Sequence, residues 1–462
     1  MKTTHYFPIL VLLFLFQYTL SVSNEKFEKV DSLFQNLNST HTPGAAIAII
    51  QDDEIIYQNA YGMASLELGV PNSTNTVFRL GSVSKQFTAA CIAMLALEKK
   101  LSPDDSLTKY FPELPADVYG ALKVRHLVHH TSGIRDAEAM YPLMDIAYSQ
   151  WYTHEMMLGM LSRQKSLDFE PGTKMEYSNS AYTLMALIVE KVTGMKFHEF
   201  AKERIFSPLG MSSTMIQTSH STFIPNRSAG YQTENGKYVN WMTNNQLVGH
   251  DAVYSTIGDM FKWQQAFFNG KLSPELVEMI TTPGKFNDGT THSYAFGLAV
   301  HKFRGLKIIS HSGWYVGYTA FFVIFPEQRF SIICLSNLGD YSPKRTSFRI
   351  ANIFLADHIV EVQNTDEYKK KIAATIFTKK LKKNLAGKYV GIDFGRYLNL
   401  EIKENQLVNR SPEYVFEPSP YSPNELINHE RDLRLIIQSE SIGTQKIILE
   451  RMSGAYGSYG RY

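Results

Sequence analysis

The chain has 462 residues, 44% of them hydrophobic and 19% charged, which is globular composition with apolar material for one large domain and a smaller one. Its 46 basic and 44 acidic residues leave a net charge of +2 without a long single-sign face. That balance excludes nucleic acid and an anionic membrane surface as obvious partners and points to a small-molecule or peptide substrate.

The first residues carry one lysine, an apolar run from Phe7 to Leu20 broken at Gln17, Tyr18 and Thr19, and small Ser21 and Ser23 before polar Asn24. The run is short for a membrane span, so 1–23 reads as a signal peptide cleaved near Ser23. The mature chain is then expected to be secreted or periplasmic, with no stable membrane insertion. Cys91 and Cys334 both lie inside apolar runs, which excludes a disulfide framework.

In chain order, Gly44 to Ile50, the turn Gln51-Asp52-Asp53, and Ile55 to Tyr61 read as a β-hairpin. A nearly pure apolar run from Thr88 to Leu97 reads as a buried helix entered through Gly81-Ser-Val-Ser-Lys85, and Ala181 to Val192 has helical periodicity. Strands are expected at Leu306 to Ile309, Thr319 to Phe325 and Phe330 to Leu335, with a closing helix at Arg349 to His358. Strands at both ends with helices between them predict one α+β domain, 24–360, whose sheet both ends of the chain complete. A polar, lysine-rich stretch at 361–384 reads as a linker. Short alternating strands from 385 to 462 predict a small all-β module, with a loose Gly/Tyr/Ser-rich tail after Gly454.

Lys85 is out of place at an apolar helix entrance, because a buried ammonium is costly. Ser82, three residues earlier, lies on the same helical face. A serine hydroxyl is a weak nucleophile until a base takes its proton, and a desolvated lysine can serve as that base. On the pair alone, a helix cap and an outward-reaching lysine is the better reading. Two further stretches give it company. Pro171 to Ser180 places Tyr177 and Asn179 two apart before a helix, and His311-Ser312-Gly313 follows a strand, where Gly313 would let a substrate backbone approach.

At this point the chain resembles the penicillin-recognising serine hydrolases: class C β-lactamases, DD-peptidases, D-aminopeptidases and related esterases. Their S-x-x-K, Y-x-N and third-motif elements occur in family order as Ser82-Val-Ser-Lys85, Tyr177-Ser-Asn179 and His311-Ser-Gly313. The likeness extends through Leu101 to Asp105, Val124 to Ile134, Pro208 to Met211 and Tyr254 to Thr256, about residues 30 to 355. It implies an antiparallel sheet flanked by helices, a mostly helical subdomain, and, from Ala386 onward, a lipocalin-like barrel. It also implies site roles: Ser82 as acylated nucleophile, Lys85 and Tyr177 as proton-transfer partners, and Asn179 binding Lys85 and a substrate carbonyl. His311, Ser312 and Gly313 would border the substrate, and the backbone N–H groups of Ser82 and Trp314 would form the oxyanion hole. Which of Lys85 and Tyr177 is the base stays open.

Two departures stand out. His311 replaces the lysine common in the third motif, which moves weight from β-lactam toward ester or D-peptide substrates. His250-Asp251-Ala252 stands where relatives commonly have a glycine pair, placing a charged residue near the expected cleft. Trp314 and Tyr315 are expected at that cleft. His126, His129 and His130 have H-x-x-H-H spacing, but the match to a family connecting phrase favours structural roles, so no metal or cofactor is expected. The whole predicts a secreted serine hydrolase forming an acyl-enzyme on an amide or ester, most simply a D-amino-acid peptide or small ester. β-Lactam hydrolysis, acyl transfer to another acceptor, or peptidoglycan binding without turnover are the alternatives.

Overall fold

The computed structural model describes residues 25–140, 147 and 150–359, together with the backbone of eight strands between Gly387 and Arg461. The leader expected at 1–23 and the linker expected at 361–384 lie outside the described residues.

The hairpin forms as β1 (Ala45–Gln51) and β2 (Glu54–Tyr61). Gln51 pairs with Glu54, and Asp52 and Asp53 both take positive φ, 51° and 65°, the backbone that a two-residue turn between right-twisted strands requires. Four more strands, β3 (Ala299–Phe303), β4 (Leu306–Tyr315), β5 (Tyr318–Phe325) and β6 (Phe330–Ser336), follow some 240 residues later. All six join in one antiparallel sheet in the order β3-β4-β5-β6-β1-β2, with β6 lying along β1 from Ala45↔Ser336 to Gln51↔Phe330. Both ends of this α+β domain therefore complete the sheet.

β5 and β6 are buried at every position because both faces of the sheet are covered. Ala46, Ala48, Phe322, Ile324, Ile333 and Leu335 face the helical side, where α1 (Lys85–Leu97) and α2 (Asn179–Thr193) lie in the same core. Ile47, Ile49, Phe321, Val323, Ile332 and Cys334 face the other side, under α3 (Pro343–Phe354). Alternate side chains along a strand point to opposite faces, so two covered faces produce unbroken apolar runs. Cys91 and Cys334 are buried free thiols within these cores.

The structure corrects three boundaries. The closing helix starts at Pro343, not Arg349: Ser342 accepts a hydrogen bond from the Arg345 N–H, and proline suits the first helical position. His311-Ser312-Gly313 lies inside β4 rather than after a strand, paired with Phe322, Phe321 and Ala320. Gly81–Ser84 is a 3₁₀ turn, and the α-helix proper begins at Lys85.

Gly313 has a structural reason in the fold itself. A Cβ there would lie 1.9 Å from the Leu80 carbonyl oxygen, so glycine is needed to let the chain leading to Ser82 pass. Gly81, with φ +55°, is pressed on the same strand, where a Cβ would meet the Trp314 nitrogen at 2.6 Å. The segment carrying Ser82 thus rides directly on β4.

Beyond residue 386, strands run at Gly387–Gly391, Tyr397–Lys403, Gln406–Arg410, Glu413–Pro418, Glu425–Asn428, Leu433–Ser439, Gln445–Arg451 and Tyr456–Arg461. Each pairs antiparallel with the next, and the last with the first through Tyr389↔Arg461, which occupies the tail expected to be loose.

Replacing Gly313 by Ala is expected to force β4 away from Leu80 at a cost of about 1–3 kcal/mol. Thermal unfolding should show a lowered midpoint, and Ser82 should react more slowly with a serine-directed probe.

Candidate active site

Lys85 is fully buried and is held by three acceptors: Ser82 Oγ at 3.2 Å, Asn179 Oδ1 at 2.7 Å and the His250 carbonyl at 2.8 Å. The 3₁₀ turn brings residues three apart almost into eclipse, which sets Ser82 against Lys85. Its Nζ also lies 4.7 Å from the centre of the Tyr177 ring and 5.5 Å from that of Tyr182. Burial pulls Lys85 down from 10.5 to about 7, against the opposing pull of Glu138, Asp136 and Asp251. With two hydrogens committed to Asn179 and His250, the neutral amine has its lone pair free for the Ser82 hydroxyl.

Tyr177 is about one-third exposed, with Ser82 as hydrogen-bonding neighbour of its hydroxyl. Burial of that phenol keeps it protonated far above its ordinary range, only partly offset by Ser82. His130 packs tilted against the ring, centre to centre 4.2 Å, and its Nδ1 accepts from the Ser178 N–H. Asn179 is the first residue of α2, and the Ser178 hydroxyl caps the helix by accepting from the Ala181 N–H.

Behind Asn179 lies a group that the motifs did not reveal. Glu138 is buried, and its two oxygens accept from four donors: Asn179 Nδ2 at 2.8 Å on one, Asn245 Nδ2 at 3.0 Å, His250 Nε2 at 3.0 Å and the Tyr315 hydroxyl at 2.8 Å on the other. Burial pushes its carboxyl up, but His250, the Tyr315 hydrogen bond and Lys85 outweigh this and hold it below the ordinary range. Asp136 accepts from the backbone N–H groups of Asn179 and Glu138, and burial next to Glu138 raises its carboxyl. Two acidic residues in Arg135-Asp-Ala-Glu138 were visible in the chain, but nothing in their spacing pairs them with a residue about forty positions later.

His311 is buried in β4. Its Nδ1 lies 2.7 Å from the Ser312 carbonyl, which only accepts, so Nδ1 carries the proton and Nε2 accepts from the Tyr294 hydroxyl at 2.9 Å. Burial, with Lys85 nearby, lowers the ring to about 3 and keeps it neutral. Its ring centre stands 6.2 Å from that of Tyr177, so it borders the site as a neutral wall. Trp314 and Tyr315, expected together at the cleft, are separated by the strand's alternation. Trp314 is 44% exposed beside Trp241, whereas Tyr315 is buried under the Arg79 guanidinium and joins the Glu138 cluster.

Asp251 does not reshape the cleft. It is buried 2.5 Å from Arg79, whose guanidinium also reaches Tyr254 and Gln217. Burial works against that charge, and the Asp251 carboxylate outweighs it and holds the guanidinium above its ordinary value. The three histidines of the H-x-x-H-H phrase have separate partners: His126 accepts from the Lys123 N–H, His129 donates to the Tyr294 carbonyl, and His130 supports Tyr177.

Residues 30–357 match the family described as Beta-lactamase. The chain belongs to this family, a family of serine hydrolases. It is 28% identical over 389 residues to penicillin-binding protein 4* of Bacillus subtilis (strain 168), covering 78% of this chain and 83% of that one. It is 29% identical over 331 residues to the D-aminopeptidase of Brucella anthropi, covering 70% of this chain and 61% of the relative's length. Among solved structures, the octameric penicillin-binding protein homologue from Pyrococcus abyssi superposes with a TM-score of 0.63 at 21% identity, covering 97% of this chain and 99% of that one. The D-amino acid amidase from Ochrobactrum anthropi SV3, complexed with L-phenylalanine amide, gives 0.60 at 23% identity, covering 73% and 99%.

Two measurements probe this family member's buried charges. Asp251→Asn strands the Arg79 guanidinium and is expected to lower stability by about 3–5 kcal/mol in chemical denaturation. Burial holds His126, His129 and His292 down to about 4 against 6.5 for an exposed ring. The unfolded chain binds their protons first, so their contribution is intact at neutral pH and is lost as pH falls from 6.5 toward 4. The melting temperature should fall across that window, and less steeply for His292→Gln.

Proposed function

We propose that the protein is a secreted hydrolase that cleaves a D-amino-acid amide, short D-peptide or small ester through an acyl-enzyme on Ser82. The observation that carries this reading is the buried Lys85 amine, lowered to about 7 and 3.2 Å from the Ser82 hydroxyl. Ser82 Oγ attacks the substrate carbonyl while its proton passes to Lys85, and the N–H groups of Ser82 and Trp314 hold the developing oxyanion. Tyr177, protonated in the free site, gives its proton to the departing amine or alkoxide and is reprotonated through Lys85. Water then attacks the ester by the reverse relay, releasing the acid and restoring Ser82. Lys85 rather than Tyr177 is the first base, since the phenol is held far too basic to ionise at neutral pH. Asn179 steadies Lys85.

The substrate assignment is supported by the D-aminopeptidase relative and by His311, whose neutral, fully engaged ring offers no fixed positive charge to a substrate carboxylate. An uncharged amide or ester suits such a wall better than a free C-terminal acid. Similarity to penicillin-binding protein 4* makes β-lactams the second class of acyl donor to examine. The catalytic domain spans 24–360, and residues 385–462 form a lipocalin-like barrel; the ring of eight antiparallel strand pairings and the likeness to the P. abyssi homologue over 97% of the chain support that assignment. Secretion rests on the leader-like residues 1–23, and among the described residues no helix is long and apolar enough to cross a membrane.

Intact-mass spectrometry and turnover assays with D-aminoacyl amides, short esters and penicillins test the reading. Wild type should turn over an amide or ester with kcat/KM rising as pH increases through about 7, the protonation point of Lys85. Ser82→Ala should lose roughly 10³-fold or more of that rate. Equal rates for Ser82→Ala and wild type would sink the assignment.

A further inference from the structure

Building on the hydrolase reading, we infer that Glu138 is a positioning residue of this site: its buried carboxylate orients the Asn179 amide toward Lys85 and supplies the anion against which the lysine cycles.

The geometry leaves little freedom. A carboxylate only accepts hydrogen bonds, so Asn179 must turn its NH₂ to Glu138 Oε2 and therefore its oxygen to Lys85. The other oxygen, Oε1, accepts from the His250 ring, and the carbonyl of the same residue is a second anchor of Lys85. Glu138 thus fixes two of the three acceptors around the amine without touching it. Asn245 and Tyr315 fill the remaining acceptor positions on Oε1, and Asn245 also donates to the Tyr315 hydroxyl at 2.6 Å. Tyr315 ties the cluster to β4, the strand that carries His311 and Trp314.

A neutral isostere cannot satisfy this arrangement. In Glu138→Gln, one oxygen becomes an NH₂. If it faces Asn179, the Asn179 amide must flip and aim its own NH₂ at Lys85. If it faces His250, Asn245 and Tyr315, donors oppose donors.

The electrostatic part has a definite sign. The groups facing Lys85 are Ser82 and His130 beside the nucleophile, Tyr177 and Tyr182 over its Nζ, His311 on β4, His250 and the Arg79-paired Asp251, and the carboxyls of Asp136 and Glu138. Glu138 is the strongest of the anions holding the lysine up against its burial. Removing its charge favours the neutral amine, so the acid limb of the reaction moves to lower pH. Asp136 and Asp251 still pull the amine up in its absence, and the expected change is about one pH unit.

The test is the rate of Ser82 labelling by a fluorophosphonate, measured against pH for wild type, Glu138→Gln and Glu138→Asp, with melting temperatures alongside. This probe needs no knowledge of the substrate. We expect Glu138→Gln to label about ten- to hundredfold more slowly at pH 8. Its acid limb should lie about one unit lower, so that the deficit shrinks at pH 6. Glu138→Asp keeps the charge but withdraws the oxygen from Asn179, so its limb should stay near wild type while the rate falls. A folded Glu138→Gln with an unshifted limb overturns the inference, as does Glu138→Asp labelling at the full wild-type rate; the second result decides the matter if the Gln variant does not fold. Wild type left unlabelled at Ser82 overturns the hydrolase reading, and this inference with it.

Discussion

A primary amine with no solvent contact, 3.2 Å from a serine hydroxyl, is the constraint around which the rest of this protein is arranged. Burial alone makes the ammonium expensive, and anions alone would hold it fully charged. Burial outweighs the anions, which hold the amine at about 7 instead of letting it fall further from 10.5. Much of the unusual polar burial in the domain follows from that balance: Glu138 with four donors, Asp136 on the backbone of Asn179, and Asp251 neutralised by Arg79. Each would be a liability by itself. Together they form a satisfied network whose rigidity holds one lysine in one place.

The sheet makes that network possible. β4 carries Gly313 and Trp314 against Leu80 and Gly81, so the segment carrying Ser82 is located by backbone contact with a core strand. Strand alternation then distributes β4's side chains: Trp314 to the open side, Tyr315 inward to Glu138, His311 to Tyr294. One strand thus supports the Ser82 segment, the aromatic border and the carboxylate cluster together. A precise site on rigid elements is what preorganised electrostatic stabilisation requires.

His311 shows how the environment overrides residue type. In isolation it is the side chain most apt to change charge near neutral pH. Here Tyr294 and the Ser312 carbonyl occupy both nitrogens, and burial keeps the ring uncharged. The family position commonly held by a cation is an uncharged surface in this chain, which bears on what the cleft prefers to bind.

Local pattern made a good deal legible. The hairpin at 44–61, the strands around 319–335, the apolar helix after Lys85 and the Ser82, Lys85, Tyr177, Asn179 set all stand in the chain as alternation, turn residues or short spacings, because each depends on neighbours a few positions away. The sequence by itself therefore determined the family, the α+β order and the candidate set that the fold brings together. Tertiary structure decided the rest: that Glu138 lies behind Asn179, that Asp251 answers Arg79 instead of entering the cleft, that Gly313 makes room for Leu80, and that His311 is neutral. The physical reason is common to all four. Burial, charge pairing and close backbone approach depend on residues that the fold brings together, 41 to 233 positions apart for Glu138, Asp251 and Gly313 and 17 for His311 with Tyr294, and no local spacing records which of them will meet.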